Sequence, residues 1–332
     1  MQSLPEQMRV ISMSGPGGPE VLHEEFRPVP RPGTGEVLIR LRAAGVNRPD
    51  LLQRAGAYPP PPGATDLLGL EGAGEVAAVG EGVENFAVGD PVCALLPGGG
   101  YADYALTPAG HCLPIPKGFD TVTAAALPET ILTVWANVME GGKLQPDETI
   151  LIHGGSSGIG VMAIQIARNH GGQVFVTAGS EEKCKVCESL GAERAINYRQ
   201  EDFVEVVKSL TDGKGVNMVL DMVGGDYVER NLRVLAVEGR HVSIAFLKGS
   251  KMMLNLAPVM MRRQVLTGST LRIRSDAEKA RLVRAVREAV WPQLAGGAIK
   301  VLIHDRFPLS AAADAHRLME NSHHIGKILL EI

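Results

Sequence analysis

The stretch that constrains this chain most is TILIHGGSSGIGVMAIQIA, residues 149–167. An apolar, strand-like run enters Gly155-Ser156-Ser157-Gly158-Ile159-Gly160 directly, and apolar residues at helical spacing follow. A glycine-rich turn between strand and helix leaves backbone N–H groups at the helix N-terminus facing outward, which suits a pyrophosphate. Gly155 fits the tight turn, and Gly160 lets helix and strand pack closely. Ser157 stands at the middle glycine of the usual G-x-G-x-x-G pattern. Either its Cβ keeps a diphosphate slightly further off, or its hydroxyl bonds it. The glycines alone would also fit an ordinary strand–turn–helix joint, so the surrounding units have to decide.

They alternate. QVFVTAG, SEEKCKVCESLGA, VNMVLDMVGG, DYVERNLRVLA, GRHVSIA and QVLTGSTL read as strand, helix, strand, helix, strand, strand. Strands separated by helices of ten to fifteen residues imply βαβ units and a parallel sheet. Before them, GEVLIRLRAAGV, EGAGEVAAVGEGV and GDPVCALL are short strands between Gly and Pro turns, and β character returns after residue 300 with VLIHDRFPL and GKILLEI. The chain's 332 residues exceed one ordinary core. The expected architecture is an α/β protein with a β-rich domain, 1–125 and 300–332, interrupted by a doubly wound parallel-sheet domain at 126–299. The long helical pattern SDAEKARLVRAVREAVWPQLAGG is assigned to that insertion.

A net charge of −4 gives no electrostatic case for nucleic acid or a membrane surface as partner. Four scattered cysteines, Cys93, Cys112, Cys184 and Cys187, make no disulfide scaffold and fit a reduced cytoplasm. The N-terminal MQSLPEQMRVISM lacks an apolar core of the signal-peptide kind. No run approaches the roughly 18 apolar residues of a membrane span. The expectation is a cytoplasmic protein.

The second strand of the α/β domain ends in Gly179-Ser180, where an NAD site usually places Asp or Glu on the ribose hydroxyls. Lys183 follows, and Tyr198 closes the next strand; a cation and an aromatic suit a 2′-phosphate and the adenine, so NADPH is the expected cofactor. Ser180 with Glu181 and Glu182 is equally an ordinary helix N-cap with acids in its first turn. GGSSGIG also fits the short-chain dehydrogenases, but the Tyr-x-x-x-Lys dyad they need is missing. Tyr198 is followed at that spacing by Asp202, and Tyr227 by Asn231.

In AAGVNRPDLLQRAGAY an apolar run breaks at Asn47-Arg48-Pro49-Asp50 and resumes as a helix, with PPPP after it. Asn47 as N-cap with Pro49 and Asp50 in the first turn explains the break. So does a polar site floor, and the two are compatible.

The domain order, with GEVLIRLRAAGVNRPD, GLEGAGEVAAVGEGV, GDPVCALLPGGGYADYAL, AAALPETILTVW and GKILLEI, resembles the medium-chain dehydrogenase/reductase superfamily, notably its zinc-free quinone oxidoreductase branch. The resemblance implies a GroES-like catalytic domain, a Rossmann domain, and a homodimer or tetramer paired through the Rossmann sheet edge. It implies NADPH-dependent reduction of a quinone or another activated alkene. Zinc-using members place Cys where this chain has Asn47 and His where it has Leu70, and the four-cysteine lobe is missing between Gly89 and Ala105. No metal is therefore expected. Glu71 is expected to be structural, pairing with Arg48; Cys184 and Cys187 to be two helical neighbours; and His323-His324 to be a surface or cofactor-adjacent pair.

The resemblance assigns the acceptor site to Asn47, Asp50 and Tyr58. It assigns the nucleotide to Gly155, Ser156, Ser157, Gly158, Ile159, Gly179, Ser180, Lys183 and Tyr198, with Thr133, Val223, Ala245, Phe246, Thr270, Leu271 and Arg272 around the nicotinamide half. A quinone is electrophilic enough to need no Lewis acid, so positioning and exclusion of water are the main requirements. Two other readings stay open. One is an enoyl or enone reductase with Tyr58 as proton donor. The other is an NADPH-binding structural or RNA-associated protein, for which no basic aromatic patch speaks.

Overall fold

A computed structural model describes residues 4–332. Among these residues the chain divides into two compact units, one running to Leu132 and again from Arg272 to Ile332, the other Thr133–Leu271.

The first unit opens with β1 (Gln7–Met13), β2 (Leu22–Pro28) and β3 (Glu36–Val46), then α1 (Arg48–Arg54). β4 (Glu71–Val79), β5 (Pro91–Leu95), β6 (Tyr104–Pro108) and β7 (Cys112–Pro114) follow, then α2 (Thr121–Ala124) and α3 (Pro128–Val134). The second unit contains β8 (Thr149–His153), α4 (Gly158–Asn169), β9 (Gln173–Ala178), α5 (Glu181–Ser189), β10 (Arg194–Asn197) and α6 (Phe203–Leu210). It continues through β11 (Val216–Asp221), α7 (Tyr227–Val234), β12 (Leu235–Ser243), α8 (Ala257–Arg262) and β13 (Val265–Gly268). The chain returns to the first unit with α9 (Asp276–Ala289), α10 (Trp291–Ala295), β14 (Ile303–Pro308), α11 (Ala312–Glu320) and β15 (Lys327–Glu331).

In the first unit the sheet order is β14-β15-β3-β4-β5-β7, with β6 also on β3. The long β3 explains this branching. Residues Glu36–Arg40 pair with β6, Ala43–Val46 pair with β15, and β4 pairs along the strand. The register sets Ile328 against Val46 and Gly72 against Ala44. Lys327, Glu71 and the residue after Val46 therefore converge at one end of β3.

The second unit is one six-stranded parallel sheet, order β10-β9-β8-β11-β12-β13, doubly wound outward from β8. Its central strands are continuous apolar runs (ILI, VFV, MVL) because helices cover both faces. β8 and β11 lie side by side with their outward crossovers running in opposite senses, the point where such sheets open a ligand crevice. The fold is thus the GroES-like plus Rossmann architecture expected. β13 is an edge strand whose four residues are all exposed.

Two expectations are corrected. The boundaries near residues 125 and 300 move to 132 and 272, because α9 and α10 pack with the first unit. Trp291 Nε1 donates to Pro114 O at 2.8 Å, and a Cβ on Gly110 would lie 2.8 Å from that of Ala280. Apolar periodicity shows that a helix covers something, not which sheet. Against the expectation of no candidate span, the 21 residues Thr121–Gly141 form one helical stretch long and apolar enough to cross a bilayer; 72% of its most apolar window is buried inside the protein, as in a core helix.

Candidate active site

Asn47 leaves β3 in extended geometry (φ −130°, ψ 153°) and starts α1, with Pro49 and Asp50 in the first turn. Its N–H donates to Asp50 Oδ2 at 2.7 Å, the reciprocal half of a capping arrangement. The cap reading of the sequence is therefore right.

The side chain does something further. Asn47 Nδ2 donates to Gly45 O (3.2 Å) and Glu71 Oε1 (2.9 Å), while Oδ1 accepts from Lys327 Nζ (2.7 Å). Lys327 Nζ also donates to Val46 O (3.0 Å) and to Glu71 Oε1 (2.6 Å), so all three ammonium hydrogens are used. Glu71 is fully buried, and its second oxygen accepts from the backbone N–H of Glu129 at 2.9 Å. The expected Glu71–Arg48 pair does not form; Arg48 donates instead to Met319 O at 3.2 Å. Both amide hydrogens of Asn47 point inward, so its first role is to hold the Glu71–Lys327 ion pair.

Asp50 is likewise turned inward. Oδ1 accepts from Gly69 N (3.1 Å), and Oδ2 from Asn47 N and the Tyr101 hydroxyl (3.4 Å). Burial pushes its carboxyl up to about 6, against the pull of those backbone N–H groups and of Lys327. Behind it, Tyr101 Oη lies 2.9 Å from His316 Nε2, and Arg54 Nη1 lies 3.1 Å from His316 Nδ1. A guanidinium only donates, so Nδ1 accepts, Nε2–H donates to Tyr101, and Tyr101 donates to Asp50. Burial, with Arg54 second, holds His316 neutral by lowering it to about 3. Asp50 thus anchors a buried polar chain, with both carboxyl oxygens engaged by neighbouring donors.

Tyr58 sits under a cation, with the Arg272 guanidinium carbon 5.4 Å from its ring centroid. Arg272 also donates to Gln53 Oε1 (2.8 Å) and Pro97 O (3.2 Å). It therefore belongs to the first unit with Tyr58 and not with Thr270 and Leu271, beside which the sequence placed it.

Three site residues escaped the sequence reading. Lys327 lies 280 positions from Asn47, and only the β15–β3 register brings them together. Glu129, in the first turn of α3, looks in sequence like any helix-start acid. It is half-buried, and burial, then Glu71, pushes its carboxyl up to about 8 while Lys327 and Arg272 pull it down. Arg199 is the third, described below with the nucleotide loop.

In the second unit the glycine loop fits a diphosphate. Gly154 carries the left-handed turn (φ +68°), a duty the sequence assigned to Gly155. Gly155 is needed for close approach instead: a Cβ there would lie 2.7 Å from Val176 Cβ and 3.1 Å from Cys187 Sγ. A Cβ on Gly160 would meet the Gly154 carbonyl oxygen and lie 2.5 Å from that of Gly155. Ser157 caps α4 by accepting from Gly160 N at 3.0 Å, so a lone pair of its hydroxyl oxygen serves the helix end. Ser156, Gly158 and Ile159 complete the loop and the first turn of α4.

Where β9 ends, Ser180 caps α5 by accepting from Lys183 N at 3.3 Å. Tyr198 lies across Gly179, where an added Cβ would be 2.6 Å from its hydroxyl. Burial lowers the Lys183 pKa, and the neighbouring Arg199 lowers it further, so two cations share this spot. Val223 follows β11, with its N–H on Asp221 Oδ1 at 2.7 Å. Ala245 and the exposed Phe246 follow β12, Thr270 and Leu271 follow β13, and Thr133 lies in α3. Cys184 and Cys187 are buried free thiols, and burial pushes Cys187 up to about 12, which suits packing and not thiolate chemistry. His324 packs edge-on to His304.

Among the described residues no three His, Cys, Asp or Glu side chains gather as a metal site. At the Asn47–Glu71 position the chain supplies its own cation, Lys327. These donors do not fit a zinc ion.

A glycine cradle on a doubly wound sheet, joined in one chain to a GroES-like domain, defines a dinucleotide-dependent oxidoreductase. Residues 33–117 match the alcohol dehydrogenase GroES-like domain family and residues 158–286 the zinc-binding dehydrogenase family. Quinone oxidoreductase of Rattus norvegicus is 32% identical over 326 residues, 97% of this chain and 97% of that protein. One polypeptide of the phenolphthiocerol/phthiocerol polyketide synthase of Mycobacterium tuberculosis is 34% identical over 306 residues, 91% of this chain. The chain spans only 14% of that protein's length. The solved Escherichia coli quinone oxidoreductase complexed with NADPH is similar at TM-score 0.88 and 32% identity, covering 98% of this chain and 100% of that one. A solved NAD-dependent alcohol dehydrogenase is similar at TM-score 0.87 and 35% identity, with the same coverage. The chain belongs to the medium-chain dehydrogenase/reductase superfamily, in its quinone oxidoreductase branch.

Proposed function

We propose that this protein transfers hydride from NADPH to a quinone or another activated alkene without a resident metal. The observation that carries the reading is the Asn47–Lys327–Glu71 cluster. Where a zinc-using relative needs ligands, this chain has a buried ammonium ion already satisfied by three acceptors. The names of the rat and Escherichia coli relatives support a quinone as acceptor.

Bound at the α4 N-terminus, the nicotinamide cofactor supplies the hydride. The chain's own residues bind, orient and neutralise. The loop from Gly154 to Gly160 offers backbone N–H groups to the diphosphate. Lys183 and Arg199 supply two positive charges, with Tyr198 beside them, for a 2′-phosphate. Tyr58, backed by Arg272, offers an aromatic face to a planar acceptor.

Lys183→Ala is expected to raise the KM for NADPH about tenfold or more while leaving that for NADH nearly unchanged, the loss of one partly desolvated charge-assisted contact. Steady-state kinetics with both nucleotides decide; equal effects on the two would remove Lys183 from the 2′-phosphate site.

A further inference from the structure

We propose that the carboxyl of Glu129 is the proton donor to the reduced acceptor, set against the Glu71–Asn47–Lys327 cluster in the first unit. This deepens the reductase reading and rests on it.

Reduction by hydride leaves a negative charge. As the hydride forms its new bond, the acceptor's π pair moves onto its carbonyl oxygen, giving an enolate or a hydroquinone monoanion. The Glu129 O–H then breaks, and its proton passes to that oxygen or, for an enone, to the α-carbon. Solvent restores the proton to the carboxylate, so NADPH and one proton are consumed per acceptor.

Three acids meet here, and two are committed. Both oxygens of Glu71 are taken, by Asn47, Lys327 and the Glu129 backbone. Both oxygens of Asp50 are taken, by Gly69, Asn47 and Tyr101. Glu129 differs. Its backbone N–H fixes it to Glu71 Oε2 at 2.9 Å, yet among the described residues its partly exposed carboxyl makes no hydrogen bond. The charged groups acting on it are Glu71 on β4, Asp50 on α1, Lys327 on β15, Arg272, and Lys279 on α9. Burial dominates them and keeps the proton on at neutral pH. An acid held protonated, anchored by its own backbone and free at its carboxyl, has what a general acid requires.

The test measures kcat of the full chain with NADPH, using an α,β-unsaturated ketone and 1,4-benzoquinone as acceptors, from pH 6 to 10. Wild-type kcat on the enone should fall as pH rises past about 8, because the donor must carry its proton. Glu129→Gln should lower that kcat about 100-fold, leave the KM for NADPH unchanged and lose the alkaline decline. Glu129→Asp should keep the decline at reduced kcat, and it decides the matter if the glutamine variant does not fold. A Glu129→Gln enzyme with wild-type kcat and an intact alkaline limb overturns the proposal alone. So does a Tyr58→Phe enzyme that loses the limb while Glu129→Gln keeps it. Wild type that oxidises NADPH with neither acceptor overturns the reductase reading, and this proposal with it.

Discussion

Lys327→Met is expected to destabilise the first unit by about 3–5 kcal/mol, the usual cost of stripping one partner from a buried ion pair. Lys327 is 4% exposed and Glu71 fully buried, so no water takes over when the ammonium leaves. Glu71 would keep only the Asn47 amide and the Glu129 N–H, and Val46 O and Asn47 Oδ1 would each lose a donor. A carboxylate buried without its cation either stays charged at high cost or takes up a proton. The double variant Lys327→Met/Glu71→Gln separates charge from shape. Replacing both partners removes the uncompensated charge, so it should recover more than half of the single variant's loss. Thermal and urea unfolding followed by circular dichroism measure both. A single variant as stable as wild type, or a double variant worse than the single, would contradict this account of the cluster.

Gly160→Ala is expected to weaken NADPH binding at least tenfold, about 1.4 kcal/mol, and to lower the melting temperature as well. The added methyl points at the carbonyl oxygens of Gly154 and Gly155, which are backbone and have no rotamer to retreat into. Relief requires the α4 N-terminus to withdraw from the β8 loop, and overpacking of this kind costs about 1–3 kcal/mol. The same withdrawal moves the helix-end N–H groups that would face the diphosphate. Nucleotide affinity and stability should therefore fall together. Fluorescence titration with NADPH checks the first; an unchanged dissociation constant would mean that the close approach does not shape the phosphate loop.

Local signals in the sequence were reliable where one short segment settles the geometry. TILIHGGSSGIG encodes strand, turn and helix start within a few residues, and the structure shows each of them. Even there, which glycine turns the chain depends on what lies opposite. Gly155 is small because Val176 and Cys187 press on it, and the left-handed turn is made one residue earlier, at Gly154. Asn47 was legible as a cap because its partner Asp50 is three residues away.

What escaped the sequence is non-local. The partner of Glu71 is set by the pairing of β15 with β3 across more than 250 residues, so the nearby Arg48 was the natural wrong choice. Arg199 is invisible beside Lys183 until β10 is laid against β9. α9 has a clean apolar stripe, but periodicity does not name the sheet that the stripe covers. Glu129 carries an ordinary helix-start sequence, and only burial next to a second acid sets it apart.

On the proposed function, a dinucleotide site on the second unit and a self-satisfied Asn47–Lys327–Glu71 cluster on the first make a metal-independent reductase. This metal independence is tested most directly by NADPH oxidation with an ortho-quinone, measured on enzyme dialysed against a chelator and again after zinc is added back. NADPH should be consumed and catechol formed at the same rate in both samples. Turnover that vanishes on chelation and returns with zinc would contradict it.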